Sequence, residues 1–211
     1  MKALVLAVLS LMTVSTGLQD VAATPRDIAV YRAVLAEMYR LQIYRFNTGR
    51  GLPAETPVLA LDRTIAMCHT PPDHPKQMGC LTDERVVQEF LGENPRRRTP
   101  IFDGLISDDN RRALAQAFAE LNATSQPFPS GSLEKAVALS VQQFEETGKR
   151  EPTKAIARAT FAVPAFSKDG HALVYGAYTC GEGTCGYGWL FLLKQEDETW
   201  KVIKTEMLWI S

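Results

Sequence analysis

From Ile156 to the end of the chain the apolar residues fall into four strand-length runs, joined by turns too short to hold a helix. The runs are Ile156–Phe166, His171–Cys180, Gly186–Lys194 and Trp200–Ile210. Between them stand Ser167-Lys168-Asp169-Gly170, which has Asp-Gly turn chemistry, the glycine-rich stretch 181–184, and the polar segment Gln195–Thr199. Connections this short allow only antiparallel neighbours, so the pattern predicts a four-stranded antiparallel meander over about 156–210. In the third run Tyr187, Trp189, Phe191 and Leu193 share one face, and Leu190 and Leu192 the other. A strand apolar on both faces is central or covered on both sides.

Upstream the period is helical. Thr24-Pro25-Arg26-Asp27 starts a helix, with Thr as cap, Pro at the first helical position and an acid near the N-terminal dipole. Tyr31, Val34, Leu35 and Met38 follow on one face, to about residue 40. Val58–Ile65 reads as a strand. A second helix runs through Val86, Val87, Phe90 and Leu91 to Gly92. A third opens at Ser107-Asp108-Asp109 and carries Leu114, Ala117, Phe118 and Leu121. Leu133–Glu146 reads as a fourth, with Val137, Val141 and Phe144 aligned. Helices first and sheet afterwards make an α+β class, N-terminal helices packed on a C-terminal four-stranded antiparallel meander. The helical part spans about 24–150 and the sheet about 156–210, in a single domain over 24–211.

The first residues read as an export signal. Met1-Lys2 is a short basic start, and Ala3–Met12 is an uncharged, mostly apolar run too short to span a bilayer. Val21-Ala22-Ala23 fits a small-residue cleavage rule, giving a signal peptide over 1–23, with Ser15-Thr16-Gly17 as a second option. The mature chain is expected to have no membrane span and to be periplasmic or secreted.

Export sets the reading of the four cysteines, because an oxidising compartment favours disulfides. They allow three pairings. Cys68 with Cys80 and Cys180 with Cys185 is the favoured one, since Cys180 and Cys185 flank a short loop between two strand-like runs. A metal reading competes, because His69 and His74 lie between Cys68 and Cys80. The spacing is not that of a zinc ribbon, and no metal or cofactor is expected.

Lys plus Arg number 23 against 24 for Asp plus Glu, and a net charge of -1 argues against a nucleic-acid partner. Arg96-Arg97-Arg98 reads as a solvated loop. No nucleophile elbow, zinc-protease motif, phosphate loop or dinucleotide fingerprint occurs, so no catalytic residue is assigned. Asp62 with Glu182 is the one carboxylate pair to weigh for hydrolysis. Asn122-Ala123-Thr124 spells a glycosylation sequon, which has meaning in a eukaryotic secretory pathway. The Tyr187–Trp189–Phe191 face is expected to be core against the N-terminal helix; the alternative is an aromatic-lined pocket partly open to solvent, for which Tyr175, Tyr187 and Trp189 are the ligand-contact candidates.

The C-terminal stretch resembles an uncharacterised family of exported bacterial proteins. The matching residues are Ala172-Leu173-Val174-Tyr175, Cys180-Gly181, Cys185-Gly186-Tyr187-Gly188, Leu192-Leu193, Trp200-Lys201-Val202 and Leu208-Trp209-Ile210-Ser211. The resemblance implies export and the sheet, and no activity. The meander also looks like the last hairpins of nuclear-transport-factor-2-like cone folds, which host enzymes and binders alike. The expected function is a non-catalytic binding module of the cell envelope, for an unknown protein or small ligand. The alternatives are an envelope hydrolase with a carboxylate or His site on the sheet face, and a thiol or metal protein.

Overall fold

The computed structural model describes residues 22–40, 58–67, 80–81, 84–94, 99–149, 158–179 and 186–210. The run Ala3–Met12 that reads as an export signal, Cys68, His69, His74, Arg96–Arg98, Cys180, Glu182 and Cys185 lie outside the described residues, as does the side chain of Cys80.

Helix α1 spans Pro25–Arg40. Its start is the one the sequence predicts: Asp27 N–H donates to Thr24 Oγ1 at 3.2 Å and Thr24 N–H to Asp27 Oδ2 at 2.7 Å, a reciprocal cap on otherwise unpaired donors. Val30, Tyr31, Val34, Leu35 and Met38 form its buried face. The later elements are β1 (Val58–Leu61), β2 (Ala66–Met67), β3 (Cys80–Leu81), α2 (Glu84–Leu91), α3 (Asp108–Leu121), β4 (Ala136–Leu139), α4 (Val141–Lys149), β5 (Arg158–Phe161), β6 (Ala165–Phe166), β7 (His171–Thr179), β8 (Gly186–Glu196) and β9 (Thr199–Ile210).

Helices together with a mixed sheet make the class α+β, but the sheet is larger than a four-stranded meander. It has seven strands in the order β4-β1-β5-β7-β8-β9, with β6 also pairing β7. The β5–β7–β8–β9 part is antiparallel, as the short turns require. β1 adds a parallel portion, pairing β4 on one side and β5 on the other. β1 falls within Val58–Ile65, which reads as a strand, whereas β4 lies inside Leu133–Glu146, which the spacing predicts to be a helix. Ala136–Leu139 was open to misreading because Val137 and Val141 share a helical spacing. The cap decides it: Gln143 N–H donates to Ser140 Oγ at 3.3 Å and Ser140 N–H to Gln143 Oε1 at 3.0 Å, so the helix begins only at Val141. β2 and β3 form a separate parallel pair.

The sheet is packed on both faces. On one, α1 covers Ala172, Val174, Phe191 and Leu193. On the other, Phe90 of α2 and Leu114 and Phe118 of α3 cover Leu173, Leu190 and Leu192. The alternation along β7 and β8 sends successive side chains into the two layers. Each fully buried Phe or Leu contributes about 1.5–3 kcal/mol of transfer free energy.

Between β5 and β6 the strand breaks, and both helical layers grip the break. Tyr31 of α1 donates its hydroxyl to Ala162 O at 3.0 Å. Burial pushes that phenol's pKa up, so it stays a donor. From the opposite layer, the carboxamide of Asn122 pairs with the peptide groups of Val163: Val163 N–H donates to Oδ1 at 2.6 Å and Nδ2 donates to Val163 O at 3.0 Å. Nδ2 also donates to Phe118 O at 2.9 Å, closing the C-terminus of α3. Asn122 is fully buried, and its side chain supplies the rung that the ladder lacks there.

The β8–β9 turn stores strain at Asp197 (φ 44°) and Glu198 (φ 65°), both in the left-handed region. A two-residue turn of this kind favours glycine at its second position. Glu198→Gly should therefore stabilise the protein by about 0.5–1 kcal/mol, the relieved strain exceeding the entropy gained by the unfolded chain. Urea unfolding would show a higher midpoint at unchanged slope.

Candidate functional site

Across β7, β8 and β9 the register aligns an aromatic strip on the α1 side. Tyr178 stands opposite Tyr187, and Trp189 opposite Met207. Tyr187 and Trp189, two apart on one strand, share that face. Tyr187 lies over buried Tyr178, the rings 6.0 Å apart at 18°. Tyr187 and Trp189 are half-buried against the α1 layer, while Phe191, the next in the row, is fully buried. Met207 is 44% exposed. The row therefore runs from core at Phe191 to surface at Tyr187. The indole Nε1–H of Trp189 is enclosed and has no acceptor among the described residues. An unmet buried donor costs about 1–3 kcal/mol, so native proteins keep few of them.

Tyr175 belongs to the other face. It is buried beside α3's layer, and its hydroxyl accepts a hydrogen bond from Trp209 Nε1 at 2.8 Å. Burial pushes its phenol up to about 12, against that hydrogen bond. The Trp209 indole lies across Gly188, where any Cβ would run into it. Tyr175 and Trp189 thus point to opposite faces, and one pocket lined by both is not formed. Of the three ligand-contact candidates, Tyr187 and Trp189 come together and Tyr175 does not join them.

A polar cluster closes the β6–β7 turn. His171 Nδ1 lies 2.9 Å from Asp169 Oδ2, with the imidazole buried and the carboxylate at the surface. Asp169 Oδ1 takes the Ser167 hydroxyl hydrogen, and His171 N–H donates to Ser167 Oγ at 3.0 Å. Lys194 Nζ donates to Asp169 O at 2.6 Å. This places an oriented imidazole at one end of the sheet, but Ser167 serves the carboxylate rather than the imidazole, so no Ser–His nucleophile pair exists in the cluster. Burial acts to raise the Asp169 pKa, yet the hydrogen bonds from Ser167 and His171 outweigh it and hold the carboxyl below its ordinary value. A depressed carboxylate stabilises the fold above its unfolded pKa of about 4, and that contribution is lost as pH falls through the folded value. Asp169→Asn should therefore lower the urea midpoint by a constant amount above about pH 5, with the gap to wild type closing below about pH 4.

Asp62 follows β1, and its Oδ1 is enclosed without a hydrogen bond among the described residues. Its proposed partner Glu182 and the Cys68-to-Cys80 metal reading lie outside the described residues. Among the described residues no three His, Cys, Asp or Glu gather as metal ligands. No helix among them is long and apolar enough to cross a membrane.

Sequence reasoning missed Met207 as a member of the strip and His171 as a partner of Asp169. The Asp-Gly turn was visible, and a His directly after it was the available signal. No family model matches the chain, and neither does any curated protein or solved structure.

Proposed function

We propose that this chain is an exported, disulfide-stabilised binding module of the cell envelope, and that it takes its partner or small ligand on the Tyr187–Trp189–Met207 strip. The observation that carries the reading is the state of Trp189. It sits half-buried between an exposed Met207 and a stacked tyrosine pair. A half-buried aromatic wall open at one edge is the makeup of a small recognition site. The test is saturation-transfer NMR with a panel of mono- and disaccharides, phenols and indoles. Hits on the wild-type protein that vanish in Trp189→Ala support the strip. Hits that survive the substitution unchanged, or an absence of hits, count against it.

Export rests on the basic start and the apolar run Ala3–Met12, and predicts a mature chain beginning near Thr24 or Leu18. The Cys180–Cys185 disulfide draws support from the β7–β8 ladder. Its last pair is Thr179 with Gly186, one residue inside each cysteine. Support for Cys68–Cys80 is looser, because Cys80 stands opposite Ala66, two places before Cys68. Intact-mass analysis and non-reducing peptide mapping of natively exported protein test both points. Free thiols at Cys180 and Cys185 would overturn the disulfide.

One observation favours the second reading, an envelope hydrolase: the buried His171 held by Asp169 is the orientation a general base needs. His171→Gln abolishing an ester or glycoside hydrolysis seen in the wild-type protein would put that reading first.

A further inference from the structure

The sequon Asn122-Ala123-Thr124 stands at the C-terminus of α3, and its asparagine is fully buried. Both amide hydrogens of Nδ2 are committed, one to Phe118 O at 2.9 Å and one to Val163 O at 3.0 Å. Oδ1 accepts from Val163 N–H at 2.6 Å. N-glycosylation forms a bond from Nδ2 to the anomeric carbon of a lipid-linked oligosaccharide. The bond from that carbon to the pyrophosphate carrier breaks, and one Nδ2 proton is lost. A glycan here would remove one of the two donated hydrogens and set a bulky polar group between α3 and the β5–β6 break.

We infer that a glycan at Asn122 and the native fold exclude each other. In a eukaryotic secretory pathway, where transfer accompanies chain entry, Asn122 becomes a branch point. Chains that fold first bury the acceptor and stay unmodified, and chains modified first cannot dock α3 on the sheet. The reading is independent of the ligand proposed above.

The test is secretion of the full chain from a eukaryotic host. Mass mapping of the residue 122 peptide is combined with thermal melting of the glycosylated and bare fractions. The bare fraction should melt like protein made without glycosylation, and any glycosylated fraction should show no cooperative transition. Thr124→Ala supplies a second readout. It removes the acceptor motif, and of the bonds around it only the exposed one from Gln126 Nε2 to Thr124 Oγ1, 3.0 Å, is lost. If the wild-type chain is modified, this variant should raise the yield of native protein severalfold in the glycosylating host. Its melting temperature should stay within about 2 °C of wild type, as befits a surface change. Secreted protein that carries a glycan on Asn122 and melts like the bare form would overturn the inference.

Discussion

Asn122→Ala should cost about 3–4 kcal/mol, a large share of the ~5–15 kcal/mol that holds a domain together. The substitution strips three hydrogen bonds at once and leaves both peptide groups of Val163 without these partners, while Phe118 O keeps only the backbone N–H of residue 122 at 3.2 Å. Leaving a buried group unmet costs about 1–3 kcal/mol, and half-buried Val163 recovers part of this from water. Asn122→Asp is the informative companion. It keeps the acceptor for Val163 N–H but turns a second oxygen toward two carbonyl oxygens, so at pH 7 it should be at least as damaging. Acid should narrow its deficit, because a protonated carboxyl can donate one of the lost bonds. Urea midpoints at pH 7 and pH 4 measure both effects, and a deficit for Asn122→Ala below about 1 kcal/mol would show that the carboxamide is not the rung it replaces.

Arg111→Ala is expected to cost about 3–5 kcal/mol, as removal of a buried, multiply bonded charge does. Its guanidinium is 3% exposed and donates to Phe90 O at 3.4 Å, to Ile101 O, and to Phe102 O at 3.4 Å. Asp103 and Asp108 stand 3.8 Å away and balance the charge. Phe102 has φ 62°, a left-handed backbone that costs a bulky residue about 1–3 kcal/mol and persists only when its surroundings impose it. Arg111 imposes it by holding the carbonyls on either side of the Phe102 nitrogen and α-carbon. Arg111→Lys should recover less than half of the loss, since one ammonium cannot span the carbonyls a planar fork reaches. Full recovery by lysine would mean that charge alone matters there.

What could be read from the sequence is the part governed by local rules. The α1 cap, the Ser107 cap of α3, where Asn110 N–H meets Ser107 Oγ at 3.4 Å, and the antiparallel order of β7, β8 and β9 all follow from neighbours in the chain. The two-faced apolar pattern of β8 likewise requires the two helical layers that cover it. What escaped depends on distant partners. β1 and β4 are four-residue strands whose parallel pairing joins residues more than seventy apart, with no turn between them to announce it. Arg111 and Asn122 look like ordinary polar residues on an amphipathic helix, and only the fold turns their side chains inward. Leu121, counted with the apolar face of α3, is 44% exposed, because the helix is already ending there. At the candidate site, Tyr187 and Trp189 could be picked out from strand periodicity. Met207 could not, because a register shift between Leu192 and Leu193 moves the partner of Trp189 from Glu206 to Met207.

The claim that Trp189 belongs to a recognition surface, while Phe191 two residues on belongs to the core, is open to a direct comparison. Thermal melting of Trp189→Ala and Phe191→Ala sets one against the other in the same strand and on the same face. Phe191→Ala should lose about 3–5 kcal/mol, lowering the melting temperature by roughly 6–20 °C for a chain of this size. Trp189→Ala should lose less than half as much, because its ring is half-buried and its N–H makes no hydrogen bond among the described residues. Equal losses in the two variants would make Trp189 a core residue and contradict the assignment of the strip as the binding site.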